Sequence, residues 1–271
     1  MFQERRRVKP LATANVVVPS LRLTFDLPGF PYIEPCFANT ALRDPSQTIE
    51  ADETSEKAPL LHAPDYHKDR WKKGLVGVVY ECTKEDYIHI IATEGGGSAY
   101  KDILVECFVI PPGGEVPMNP TSESIMVHTL FAPAPKPSSN DEAESGVKTT
   151  GRMHRPDPSY AQASERYLKY FIDGSNEHNL PEEYKEYLRG LRPYMITTTR
   201  QRCGQVLIVT TWAPMMLIIF GLQSAFQDKD GHNPPWLGKL QESIFLALWT
   251  TYDRAIKVFF GDGERTIGDS D

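Results

Sequence analysis

From Val206 to Leu222 the chain runs 17 residues without a charged side chain, VLIVTTWAPMMLIIFGL. A run of that length is at the short edge of a membrane-spanning helix. Thr210, Thr211, Pro214 and Gly221 within it are tolerated in a membrane helix and poor in a soluble one. Arg200 and Arg202 precede the run, and Asp228 and Asp230 lie beyond it. That cationic bias places whatever precedes the run in the cytosol. The sequence therefore predicts a single-pass transmembrane helix over 203–223. Beyond it, Leu237, Leu240, Ile244, Leu248 and Ile256 alternate with Lys239, Glu242, Asp253 and Lys257. This pattern predicts an amphipathic helix over 236–260, lying at the membrane interface. The alternative is that both segments form a helical hairpin against the preceding domain, and length alone does not separate the two.

The 271 residues carry a net charge of −7 and a sequence pI near 5.6, which argues against a nucleic-acid binder. The one basic cluster, Arg5-Arg6-Arg7 with Lys9, has no aromatic interleaving and reads as a solvated helix end. Cys36, Cys82, Cys107 and Cys203 are widely spaced with no Cys-x-x-Cys pair, so no zinc site is expected. Cys82 and Cys107 lie in apolar runs and read as buried thiols. No signal peptide is recognised, which fits a cytosol-facing domain in a reducing compartment.

Residues 1–195 read as one α+β domain with two flexible insertions, 44–65 and 132–158, both rich in proline and polar residues. Asn15 to Phe25 alternates apolar and polar residues and predicts a strand. Gly74 to Cys82 is a nearly continuous apolar run and predicts a central strand; Ile103 to Ile110 and Ile125 to Phe131 predict two more. Thr83, with Asp86 three residues on, predicts an N-cap for a helix over Lys84 to Thr93. Short strands with one embedded helix suggest a small mixed β-barrel. Two helices follow, over Tyr160 to Asp173 and from Leu180 onward, the second with Pro181 at its first position and Glu182 and Glu183 in its first turn.

The helix over Lys84 to Thr93 breaks into Glu94-Gly95-Gly96-Gly97 before the next strand. Three glycines let backbone approach a ligand closely. A half-shielded carboxylate at that junction, with its pKa raised toward neutrality, can serve as a general base. The plainer reading is a helix C-cap followed by a glycine turn with a solvated Glu94.

The segment Ser164-Glu165-Arg166-Tyr167-Leu168, then Gly174, then Glu177-His178-Asn179-Leu180-Pro181-Glu182-Glu183-Tyr184, resembles the helical tail of the gamma-glutamylcyclotransferase family. Leu21-Arg22-Leu23-Thr24-Phe25-Asp26, Pro35-Cys36-Phe37-Ala38-Asn39 and Gly77-Val78-Val79-Tyr80 are similar to its fungal branch. The resemblance covers Met1 to about Leu191. It implies a small barrel with flanking helices, and conversion of a gamma-glutamyl amine or amino acid into 5-oxoproline and the freed amine. It makes Glu94 the catalytic acid/base and Tyr167 a substrate contact. Backbone amides of Gly95 and Gly96 would approach the substrate, and Tyr100 would be a pocket wall or hydroxyl donor, or else a barrel-rim aromatic. No metal or cofactor is implied. Family members open with a strand and a Tyr-Gly-Ser-Asn loop. Their arginine-rich segment after that loop matches Arg5-Arg6-Arg7, and only Met1 to Glu4 precede it here, without that motif. Either the chain is truncated or mis-started, or it has lost the loop; on the second reading a catalytically inactive, membrane-tethered binding or scaffolding relative is the alternative function, and a helical membrane-interaction protein with an incidental barrel is a third.

Overall fold

β1 (Ala12–Val18) organises the molecule, because Val16, Val17 and Val18 are all buried and so both faces of the strand are covered. The computed structural model describes residues 10–43, 71–93, 100–132, 155, 157, 160–228 and 233–267. β2 (Leu21–Phe30) and β3 (Glu34–Leu42) form a two-stranded antiparallel sheet. A four-stranded antiparallel sheet, a curled half-barrel, has the order β4-β1-β5-β6, with β4 at Leu75–Glu81, β5 at Lys101–Val109 and β6 at Ser124–Phe131. Among the described residues, five helices flank the sheets: α1 (Lys84–Thr93), α2 (Glu165–Glu177), α3 (Glu182–Arg189), α4 (Thr199–Phe226) and α5 (Pro235–Thr251). A π-helical turn, Tyr252–Ile256, continues α5 into a last short helix, α6 (Lys257–Phe260).

Three sequence expectations change here. The strand expected over Asn15 to Phe25 is two strands, broken at Pro19 and Ser20. Pro19 has no N–H for a ladder, and Arg43 takes up the turn, its N–H donating to Ser20 O at 2.9 Å and its guanidinium to Pro19 O at 3.1 Å. Among the described strands, the apolar run of β4 lies at one end of the sheet rather than at its centre. Its residues are mostly half-buried, and the doubly covered position belongs to β1. Cys107 is buried as expected, but Cys82 is only half-buried, since it falls after β4 as the chain turns toward α1.

The two faces of the half-barrel hold separate cores. On one, Val17 and Val76 meet Phe25 and Cys36 of the small sheet, Leu168 of α2, Leu180 between the helices, and Tyr184 and Leu188 of α3. On the other, Val16, Val18, Leu21, Val105 and Cys107 pack together. Residue alternation along β1 divides its valines between the two.

α4 and α5 form an antiparallel hairpin with its own core. Ile208 and Trp212 of α4 meet Leu248 and Trp249 of α5, with Tyr252 and Ile256, around Tyr32 from the β2–β3 turn. Tyr32 is 1% exposed and holds a φ of 63°, strained for a residue with a bulky side chain. Its neighbours fix it there. Its N–H donates to Gly263 O at 2.8 Å, its hydroxyl to Gly261 O at 2.6 Å, and Gln205 Nε2 donates to its carbonyl at 2.8 Å. Gly204 lets α4 approach this ring: a Cβ there would lie 2.9 Å from both Tyr32 and Phe260.

Candidate functional site

α1 begins as the sequence suggests, with the Asp86 N–H donating to Thr83 Oγ1 at 3.1 Å. It lies over the half-barrel, and Tyr87 and Ile90 line a cavity of about 810 Å³ with Val16, Val79, Val105 and Val127. The wall is mainly apolar, with polar groups at particular points. Tyr80 and His178 share a hydrogen bond of 2.8 Å, and His128 Nδ1 lies 3.0 Å from Asp102, with its ring 5.6 Å from that of Tyr87. Burial raises the Tyr87 hydroxyl far above the usual tyrosine range, with Asp102 acting in the same direction, so the group stays neutral.

α1 leads into the glycine run. Glu94, Gly95 and Gly96, the acid/base and backbone candidates, lie outside the described residues, as do most of the two expected insertions. Tyr100 and Tyr167 are described. Tyr167 stands on the first turn of α2 with its ring between Phe37 (5.3 Å, edge-on) and Phe171 (5.4 Å, edge-on). Its hydroxyl accepts the Ala38 N–H at 3.3 Å. Burial is the main force pushing its pKa up, to about 12; the Ala38 N–H opposes this, and Tyr100, Glu34 and Cys36 add to it. Tyr167 is therefore a neutral phenol whose own O–H can still donate.

What holds Tyr167 in place was not expected from the sequence. Glu34, 3% exposed at the start of β3, accepts the Ser164 N–H at 3.0 Å and the Ser164 hydroxyl at 2.7 Å. Arg166 reaches the same carboxylate at 3.2 Å. Ser164 Oγ in turn caps α2 by accepting the Tyr167 N–H at 3.1 Å. This arrangement starts α2 at Glu165 rather than Tyr160, because residues before Ser164 run extended; Ser164 bridges Tyr194, and the Gln162 N–H donates to Glu264 O. At the far end of α2, His178 O accepts from Asn15 Nδ2 at 2.9 Å, and Asn179 takes a left-handed φ of 47°. The Glu177-His178-Asn179 segment thus ties the helix back to β1. Pro181 is the N-cap of α3 rather than its first helical residue, so the helix begins one residue later than expected.

The second unanticipated cluster closes the C-terminal hairpin onto the domain. Arg155 forks between Asp253 (2.6 Å) and Glu264 (2.8 Å) and lies 4.2 Å over the Trp249 ring. Asp262 accepts the Glu264 N–H at 2.7 Å and the hydroxyl of Tyr160. Gln201 Nε2 donates to Asp262 O at 2.7 Å, and Gln162 Oε1 accepts the Thr266 N–H at 2.7 Å. Its only signal in the sequence is Gly261-Asp262-Gly263-Glu264, an Asx-turn composition.

Residues 198–256 match the family described as the AclK C-terminal domain. Over 262 residues, 96% of this chain and 84% of the relative, the sequence is 27% identical to gamma-glutamyl cyclotransferase gliK of Aspergillus fumigatus. It is 28% identical over 269 residues to gamma-glutamyl cyclotransferase aclK of Aspergillus oryzae, covering 97% of this chain and 85% of that one. With gamma-glutamyl cyclotransferase verK of Clonostachys rogersoniana it shares 30% identity over 150 residues, 55% of this chain and 75% of the relative.

Proposed function

The chain belongs to the gamma-glutamyl cyclotransferase family, and on that premise we propose that it releases 5-oxoproline and a free amine from a gamma-glutamyl substrate, with Glu94 as the general acid/base. The observation that carries this reading is the similarity to named cyclotransferases over almost the whole chain. The chemistry needs little apparatus. The substrate's α-amine attacks its own γ-carbonyl, so ring closure supplies the effective concentration. The α-ammonium first gives one proton to solvent; as the freed amine attacks and the new N–C bond forms, Glu94 takes the second proton from that nitrogen, and charge collects on the carbonyl oxygen. Glu94 then returns the proton to the departing nitrogen as the original amide C–N bond breaks. One carboxylate serves both transfers, because it is basic before attack and acidic afterwards.

Tyr167 and Tyr100 supply hydroxyls on the substrate side, and the backbone amides of Gly95 and Gly96 approach the glutamyl group. The enzyme works at a membrane, held through α4, with the catalytic domain on the cytosolic face. α4 supports this, being long and apolar enough to cross a bilayer by length and composition. No metal or nucleotide enters the scheme.

The test is 5-oxoproline release from gamma-glutamyl-alanine and from glutathione by the wild-type chain and Glu94→Gln. Turnover by the wild type and its loss in a folded Glu94→Gln variant, by about 10²-fold or more, is the expected result. Equal turnover in both overturns the assignment of Glu94.

A further inference from the structure

We infer that α4 docks on a membrane lengthwise, as an in-plane helix on a surface of anionic lipid headgroups, and does not cross the bilayer. This rests on the membrane association proposed above and adds its geometry. α4 spans 28 residues, so about 42 Å at 1.5 Å per residue, more than the ~30 Å of a bilayer's hydrocarbon. Both of its ends are tied to the catalytic domain. At the start, Gly204 packs on Tyr32 and Gln205 bonds the Tyr32 carbonyl. Just past the end, Gln227 Nε2 donates to Ala92 O of α1 at 2.9 Å. A crossing helix would put Gln227 on the far side of the bilayer from α1. The second helix does not provide a return span, because Lys239, Glu242, Asp253 and Arg254 are all exposed along it and the turn after it. It lies against α4 instead, with Phe245 5.5 Å from Phe30 of the catalytic domain.

The outer side of α4 suits lipid. Val206, Leu207, Val209, Leu217, Ile218 and Phe220 are exposed. At about 100° per residue they share the side opposite the packed stripe of Ile208, Trp212 and Ile219. The face is broad, wider than the narrow seam that a partner helix needs. Arg200 and Arg202 project on this same side at its N-terminal end, and the helix carries no acidic residue. Apolar residues level with the acyl boundary and cations at headgroup height are the composition of an interfacial helix, with the charges selecting anionic lipid.

The experiment uses the full chain on sealed vesicles of phosphatidylcholine with phosphatidylserine. Flotation measures binding. A membrane-impermeant maleimide then probes Asp228→Cys and, separately, Glu165→Cys, both in a Cys203→Ser background. In-plane docking predicts flotation and equal labelling of the two positions from outside. It also predicts that Arg200→Gln with Arg202→Gln weakens binding about thirtyfold, and that Leu217→Glu with Ile218→Glu abolishes it. Flotation with Asp228→Cys protected until detergent is added overturns the inference and leaves a crossing helix, with membrane association intact. Absence of flotation, whether the protein is monomeric or self-associated through this face, overturns both.

Discussion

The hydroxyl of Tyr167 accepts the Ala38 N–H at 3.3 Å at the point where the β2–β3 ladder changes register, between Thr24 and Leu27. It thus stands in for a strand partner. Tyr167→Phe removes that acceptor from a half-buried amide, at a cost of about 1 kcal/mol. If Tyr167 contacts the substrate as proposed, the same change should raise KM about tenfold through the loss of that donor. Steady-state kinetics beside thermal unfolding checks this. A lowered melting point with unchanged KM would make Tyr167 a packing residue only.

Two glycines of α4 should respond oppositely to alanine. At Gly204 the new methyl meets the Tyr32 ring and Phe260 at 2.9 Å, within a packed junction that has little room to shift. Gly204→Ala is expected to destabilise by about 1–3 kcal/mol, in spite of alanine's better helix propensity. At Gly221 nothing lies within 4 Å of the added atom. Gly221→Ala should stabilise by about 0.5–1 kcal/mol. Denaturant unfolding of the two variants in detergent tests the docking of the hairpin, and the same sign in both would contradict it.

Local signals in the sequence located what local chemistry determines. Thr83 capping α1, the strands β5 and β6, and the apolar helix α4 follow from periodicity and capping residues. What was illegible depends on pairing at long range. The burial that makes β1 central comes from β4, β5 and two helices arriving on it, and nothing in Val16-Val17-Val18 itself distinguishes it from the apolar run of β4. Glu34 reads in sequence as a solvated acid, and it is buried only because Ser164 and Arg166, 130 and 132 residues away, satisfy its carboxylate. A substrate role for Tyr167 is implied by family resemblance and not by pattern, since an aromatic on an apolar helix face usually reports packing.

The Arg155–Glu264 pair makes a prediction about coupling. Glu264 is 1% exposed, and besides Arg155 its carboxylate meets only Lys257 at 3.3 Å among the described residues. Arg155→Met strands most of that buried charge, and a loss of about 3–5 kcal/mol is expected. Glu264→Gln in the same background should restore part of it. Asp253 is 43% exposed on the other arm of the guanidinium, so Asp253→Asn should cost less than about 1 kcal/mol. A double-mutant cycle on unfolding free energies gives the coupling directly, and additivity of Arg155→Met and Glu264→Gln would refute the pairing.

Asp262 gives the hairpin junction a pH dependence. Burial pushes its carboxyl up, but the Tyr160 hydroxyl, the Lys257 ammonium and the Glu264 N–H together hold it below the usual carboxylate range. The folded state therefore binds this proton less readily than the unfolded chain does. The stabilisation is fully present above the unfolded pKa, about 3.9, and is lost as pH falls through that value toward the lower folded one. Asp262→Asn keeps the shape of the turn without the titration. Melting temperatures compared from about pH 6 down to about pH 3 should show wild type well above the variant at the upper end, with the gap narrowing below about pH 4. A gap that stays constant across the range would mean that Asp262 titrates alike in both states and that the junction is held by its neutral hydrogen bonds alone.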